Sequence, residues 1–265
     1  MFMIEIHNVT ASYEGAEKRL ALKNISFSIG KEKAVVIGPN GSGKTSVIKL
    51  ILGILEKTEG EVTVDGVDTN EIHDYLGLST NLADVYKLMG GTVSDTIGIF
   101  AELKNSDPSN ALKLIDHFQL GSILRKKLFQ LSSGEQKMIG NILAMSFSPS
   151  IILLDEPFDN VDQSRRIKLI RLLKEVKSDI LLNTHELNLL NYLDGWSLYF
   201  ILDGQIYGKF NTGMLKELYV SKGDVPGNLG LIESDIGKFS ITINGGDVPI
   251  SSVSNLNSLF DEVSL

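Results

Sequence analysis

Residues 38–45, Gly38-Pro39-Asn40-Gly41-Ser42-Gly43-Lys44-Thr45, satisfy the pattern G-x-x-x-x-G-K-[ST] of the phosphate-binding loop. No other stretch restricts the fold so strongly, because the pattern works only between a buried strand and the start of a helix. Both flanks are present. Ala34-Val35-Val36-Ile37 is a short apolar run that reads as a buried strand, and Ser46-Val47-Ile48-Lys49-Leu50-Ile51-Leu52 carries apolar residues at helical spacing. Gly38, Gly41 and Gly43 let the backbone curl until its N–H groups point inward at phosphate oxygens, and the helix N-terminus adds a favourable dipole. In such a loop Lys44 reaches the β- and γ-phosphates and the Thr45 hydroxyl binds Mg²⁺. Pro39, Asn40, Ser42 and Ser46 complete the set of expected phosphate-loop contacts. A nucleotide is the ligand this pattern implies.

The rest of the chain alternates strands and helices. Ile4 to Val9 and Leu20 to Ile29 alternate apolar with polar residues, and Glu59 to Gly66 reads as a strand between glycine turns. The opening therefore looks like an antiparallel sheet leading into a parallel one. Residues 82–147 are mainly helical in pattern, with one helix expected after Asp107-Pro108-Ser109 and another from Ser133 to Met145. Strand character returns at Ile151–Leu154, Ile180–Asn183 and Trp196–Leu202, with a helix between the first two. Strands alternating with helices argue for right-handed crossovers and a mostly parallel α/β sheet. Asp203-Gly204 is a hairpin signal. Past about Ser221 the chain is broken by Gly223, Pro226, Gly227 and Gly230, and only Lys238–Ile243 alternates cleanly.

Composition sets outer limits. At 265 residues the chain can hold one large domain with an appendage. A net charge of −8 argues against broad contact with a phosphate backbone, so nucleic-acid binding is not expected. Cysteine is absent, which excludes disulfides and thiolate metal sites. The N-terminus lacks a basic segment followed by a long apolar core, and no run approaches about 18 apolar residues. A cytoplasmic location is the expectation.

A second acidic motif extends the site. Ile151-Ile152-Leu153-Leu154-Asp155-Glu156 is an apolar strand ending in two acids, the Walker B pattern. Asp155 would hold the Mg²⁺ shell and Glu156 would orient and deprotonate an attacking water. Leu131-Ser132-Ser133-Gly134-Glu135-Gln136 lies upstream of it and resembles the LSGGQ signature of the ATP-binding cassette (ABC) ATPases. A serine hydroxyl and the amides of small residues at a helix N-terminus make a second γ-phosphate cradle, here from Ser132 and Gly134. Glu156-Pro157-Phe158-Asp159-Asn160-Val161-Asp162 resembles that family's D-loop, and Asn183-Thr184-His185-Glu186 its switch loop. Ser12-Tyr13-Glu14 resembles the A-loop, where Tyr13 would stack on adenine.

The resemblance covers about residues 2–220 and implies a specific architecture. The fold would be α/β, a P-loop NTPase with a mostly parallel core sheet, an N-terminal antiparallel β subdomain and a helical insert subdomain. Residues 1–220 would form the ATPase domain and 221–265 a small β-rich appendage. The implied activity is ATP hydrolysis with Mg²⁺, with Glu156, His185 and Lys44 in catalytic roles and Thr45, Asp155 and Asn81 near the metal. Two cassettes would sandwich each ATP, so the resemblance implies a second cassette and a separate transmembrane subunit, with the chain peripheral on the cytoplasmic face. Leu82, Val85, Tyr86, Leu88 and Met89 make the docking region apolar enough to meet that subunit, with about half of them open to a core role instead. The resemblance also admits a soluble ATPase, as in iron–sulfur assembly, or a nucleotide-gated binding module. The sequence departs from the family pattern at Asn81, where glutamine is usual, at Ser133 in place of glycine, at Glu135 in place of glutamine and at Phe158 in place of a small polar residue.

Overall fold

The computed structural model describes residues 3–13, 20–71, 75–87, 90–234, 237–253 and 256. Two compact units divide the chain: Met1–His73 together with Asn183–Leu265, and the intervening Asp74–Leu182.

The first unit begins with β1 (Ile4–Ser12), β2 (Leu20–Ile29), β3 (Lys33–Ile37), α1 (Lys44–Ile51), β4 (Lys57–Val64) and β5 (Val67–Asp68). The second contains β6 (Leu78–Thr80), α2 (Ala83–Tyr86), α3 (Val93–Leu103), α4 (Ser109–His117), α5 (Ser133–Ser146), β7 (Ile151–Asp155) and α6 (Gln163–Glu175). β8 (Asp179–Thr184) ends it and hands its last two residues to the first unit. The chain continues through β9 (Ser197–Leu202), β10 (Gln205–Asn211), β11 (Leu218–Lys222), β12 (Gly230–Ser234), β13 (Gly237–Ile243) and β14 (Val248–Pro249).

Within the first unit, β2-β1-β4-β5 form an antiparallel sheet. Its register sets Ile4 opposite Ile29 and Val64, and Ile6 opposite Phe27 and Val62, so the apolar half of each alternating strand shares one buried face. β3 pairs in parallel with β9, and β9 turns into β10 through Asp203 and Gly204, both at positive φ (48° and 79°). Those two left-handed residues fit the strand twist of a tight hairpin. The remaining strands form a third sheet, β12-β13-β11-β14. Its strand β11 starts at Leu218, ahead of the expected boundary at residue 221, and pairs Val220 with Ile241.

Within the second unit, β8, β7 and β6 are successive neighbours, and β6 pairs with β7 in parallel from Leu78↔Ile151 to Thr80↔Leu153. Helix α5 is its spine. Every residue from Met138 to Ser146 is buried, which explains why its apolar residues run nearly all round instead of forming one stripe. Gly140 makes that burial possible, since a Cβ there would lie 2.9 Å from both the Asn81 carbonyl oxygen and the Tyr86 hydroxyl. Tyr86 donates its hydroxyl to the Gln136 carbonyl at 3.0 Å, and its burial pushes the phenol up to about 12. Helix α3 starts with a reciprocal cap: Asp95 N–H donates to Thr92 Oγ1 at 3.2 Å, and Thr92 N–H donates to Asp95 Oδ2 at 2.8 Å.

Candidate functional site

The phosphate loop lies in the first unit, between β3 and α1. Gly41 and Gly43 have φ of 82° and 107°, a region that costs a side-chain-bearing residue free energy. Gly38 is required for a different reason: a Cβ there would come within 2.3 Å of the Ile201 carbonyl oxygen. The Gly38 N–H donates to the Thr184 carbonyl at 3.2 Å, so the end of β8 fixes the loop entrance, one residue before His185. Lys44 is only 6% exposed, and its Nζ donates to the carbonyls of Gly38 (2.8 Å) and Pro39 (2.9 Å). The ammonium thus folds back across its own loop, where a phosphate would replace carbonyl oxygens with charged ones. The first turn of α1 holds no acidic side chain to offset its dipole. Thr45 is half-buried in that turn. Ser42 Oγ is buried without a hydrogen-bond partner, a polar atom the loop leaves unsatisfied.

Tyr13 reaches the same helix. Its hydroxyl lies 3.2 Å from Ser46 Oγ, the Lys49 ammonium sits 6.0 Å from its ring centroid, and the residue is 45% exposed. A held aromatic face beside the phosphate loop is suited to stack a base. Its neighbour Glu14 lies outside the described residues.

The signature segment lies in the second unit, at the start of α5. Ser132 is the N-cap: its Oγ accepts from Glu135 N–H at 3.2 Å, while Glu135 Oε2 accepts from Ser132 N–H at 2.8 Å. This box satisfies two first-turn donors. The N–H groups of Ser133 and Gly134 belong to the same turn, which offers them no helical acceptor. Ser132 and Ser133 are exposed and Gly134 is half-buried, so the cap faces outward. The Ser132 N–H, aided by Lys126 at 3.3 Å, holds the Glu135 carboxyl below its ordinary range.

These residues line a pocket of ≈ 300 Å³ together with Asn160, Asp162 and Arg165. The latter group is set by a sharp turn after β7, in which Glu156 and Asn160 adopt positive φ of 43° and 58°. Non-glycine residues in that region store strain, as functional turns often do. Asp162 caps α6 by accepting from Arg165 N–H at 3.1 Å, and it pairs with Arg165 Nη1 at 2.7 Å. Phe158 is fully buried, so the apolar residue at this position serves the core; its carbonyl accepts from Arg166 Nη2 at 3.0 Å.

Asn81 is held inside the second unit. The sequence places it near the metal, but it is 2% exposed and its amide is taken up by protein groups. Nδ2 donates to Asn141 Oδ1 (2.8 Å) and to the Asp155 carbonyl (3.2 Å), while Oδ1 accepts from Asp155 N–H (2.7 Å). Asn has one methylene fewer than the usual glutamine, and this short reach is used inside the fold. Asn141 and Lys137, both on α5, escape notice in the sequence; Lys137 Nζ also donates to the Asp155 carbonyl at 2.9 Å. The single sign available was a polar residue inside the apolar run Ile139–Leu143. Of the expected membrane-subunit contacts, Leu82 and Tyr86 are core residues at 5% and 3% exposure and Val85 is exposed at 39%. Leu88 and Met89 lie outside the described residues.

A strand-held phosphate loop with an outward-facing serine cap on a second unit defines a P-loop ATPase of the cassette class. The sequence model of the ABC transporter family matches residues 22–159. The energy-coupling factor transporter ATP-binding protein EcfA1 of Streptococcus pyogenes serotype M12 is 30% identical over 243 residues, covering 86% of this chain and 85% of that protein. Among solved structures, the cbiO-2 protein, assigned to cobalt transport as an ATP-binding protein, superposes with a TM-score of 0.87 at 34% identity. That match covers 98% of this chain and all (100%) of the other. A dimeric structure of the cassette MJ0796 matches with a TM-score of 0.66 at 25% identity, over 79% of this chain and 99% of its own. The chain belongs to the ABC transporter family, as an ATP-binding, ATP-hydrolysing subunit. Among the described residues, no helix is long and apolar enough to cross a membrane.

Proposed function

We propose that two cassettes close face to face, each ATP held by the phosphate loop of one and the signature cap of the other, and that this stroke drives a separate transmembrane subunit. The observation that carries the proposal is the outward cap of α5. Ser132 and Gly134 border an open pocket of ≈ 300 Å³, and a single copy's chemistry gives that pocket no use. A chain has one phosphate loop and one cap, so two-fold pairing supplies both halves of two sites. The dimeric cassette among its structural relatives supports this arrangement.

In this reading Tyr13 stacks on adenine, and the amides of residues 38–45 cradle the phosphates. Lys44 leaves its carbonyl partners for the β- and γ-phosphates. Glu156 accepts a proton from the attacking water, and His185 donates toward the γ-phosphate and orients that water. Thr45 and Asp155 offer only oxygen atoms, the donors that Mg²⁺ takes, and they would hold it; bound there, the ion neutralises developing phosphate charge. The subunit would work at the cytoplasmic face of a membrane. The names of its relatives, an energy-coupling factor transporter protein and a cobalt transport protein, favour a role in transport.

Glu156→Gln tests the scheme. The variant keeps ATP binding, loses hydrolysis by about 10²–10⁴-fold as expected for removal of a general base, and elutes as a dimer with ATP. A variant that hydrolyses ATP at the normal rate, or stays monomeric with saturating ATP, overturns the proposal.

A further inference from the structure

The second unit contains a buried polar network that converges on the backbone of Asp155–Pro157. Asn141 is fully buried (0% exposed), in the middle of α5. It accepts from Asn81 Nδ2 through Oδ1 at 2.8 Å and donates from Nδ2 to the Pro157 carbonyl at 2.8 Å. Asn81 then brackets Asp155, accepting from its N–H at 2.7 Å and donating to its carbonyl at 3.2 Å. Lys137 donates to that same carbonyl at 2.9 Å. The backbone on both sides of Glu156 is therefore tied to side chains of α5: directly through Lys137 and Asn141, and indirectly through Asn81. Glu156 itself sits at a strained φ of 43°, a conformation that persists only when its surroundings over-determine it.

We propose that Asn81 and Asn141 act as a pair of positioning residues that lock the Asp155–Glu156–Pro157 backbone to the signature helix. A movement of α5 as its cap meets a second subunit would then be transmitted to the acids at the end of β7. The pair works as a unit. Asn81 alone could rotate, and Asn141 alone would bury an unsatisfied amide, whereas together each fixes the rotamer of the other. Asn81 in this chain is thus a strut behind the acids and does not touch the metal. The inference rests on the assignment of Asp155 to the metal shell made above.

Asn141→Ser is the test variant, because serine can satisfy its own hydroxyl on the carbonyl one turn back in a helix. Asn81→Ala and the double variant complete a cycle. The readouts are the Mg²⁺-dependent tightening of a fluorescent ATP analogue, its affinity in EDTA, and kcat for ATP. Groups one step behind a metal ligand typically change metal affinity about 10–100-fold. The half-saturating Mg²⁺ concentration should rise by that factor and kcat should fall, while affinity in EDTA stays within about 2-fold of normal. The double variant should be no worse than the worse single one. Asp155→Asn serves as the reference: if it leaves the Mg²⁺ response unchanged, the metal assignment itself fails. If Asp155→Asn removes the response but Asn141→Ser leaves both it and kcat unchanged, the positioning pair is refuted. Additive losses in the double variant refute the unit. Should Asn141→Ser not fold, Asn81→Ala, which leaves α5 itself unaltered, must still raise the Mg²⁺ requirement or the proposal fails.

Discussion

Gly134→Ala adds one carbon and two hydrogens at the point where α5 meets the turn after β7. The new Cβ would lie 2.2 Å from the Asn160 carbonyl oxygen, and both groups are backbone. Real carbon–oxygen contacts begin near 3 Å, so one element must retreat by roughly 1 Å, at the cost of about 1–3 kcal/mol seen when packed sites are overfilled. In a chain this long each kcal/mol corresponds to about 2–4 °C in Tm. The functional cost should exceed the stability cost. Asn160 and Gly134 meet at the edge of the pocket beside the α5 cap, and an error of about 1 Å in a reacting geometry is worth on the order of 10²-fold in rate. Steady-state phosphate release should therefore fall about 100-fold, and ATP-dependent dimerisation on a sizing column should weaken in parallel. Binding of a fluorescent ATP analogue to the isolated subunit should be unaltered, because the phosphate loop is not touched. Ser133→Ala, one residue away and exposed, controls for the melting temperature and should leave it unchanged. If Gly134→Ala melts and turns over like the unmodified protein, the close approach of α5 to Asn160 is not a feature of the working molecule and the pocket assignment falls.

Three further outcomes follow from the geometry. Lys44→Ala removes charged hydrogen bonds worth about 1.5–3 kcal/mol, so equilibrium binding should show ATP affinity weakened about 10–150-fold. Tyr13→Ala should weaken ATP by about 1–3 kcal/mol, the usual value of stacking a base on an aromatic ring; Tyr13→Phe, which keeps the ring and loses only the contact with Ser46, should bind nearly normally in the same titration. Glu135→Gln keeps the helix cap, since glutamine also accepts from Ser132 N–H, but removes a negative charge from the rim of the pocket at the α5 cap; if that pocket meets the γ-phosphate as proposed, ATP-dependent dimerisation measured by light scattering should rise. Its pH signature has a definite sign. The folded Glu135 carboxyl lies below its ordinary 4.5, so its contribution to stability is complete above that pH and is lost as pH falls through the lower folded value. Melting curves recorded from about pH 6 to pH 3 should show that acid-side loss in the parent and less of it in the glutamine variant.

The parts of the site visible in the sequence are those built by contiguous residues. The phosphate loop is one example: Gly41 and Gly43 are needed for local backbone angles, and a local requirement leaves a local pattern. The α5 cap is another, because Ser132 and Glu135 satisfy each other across three residues. The Asp203-Gly204 hairpin was equally legible, whereas β5 and β14, two residues each, are too short for any period to show. What stayed hidden depends on chain segments far apart in sequence. Asn81 reads as a shortened metal ligand, and nothing in the sequence shows that its amide bonds to Asn141 and Asp155, 60 and 74 residues away. Phe158 looks like damage to a loop until it is seen filling the core. Gly140 gives no sign that it allows α5 to approach Asn81 and Tyr86. These share a physical cause. A buried polar group must be paired, a buried apolar one must be packed, and neither demand specifies where along the chain the partner lies. Asn141 nevertheless left a trace, because a fully buried asparagine among the apolar residues Met138, Ile139, Ile142 and Leu143 has a desolvation cost that only a distant partner can offset. A lone amide in the buried stretch of a helix is thus a pointer to a long-range network, and here that network ends on the backbone of Asp155 and Pro157, on either side of Glu156.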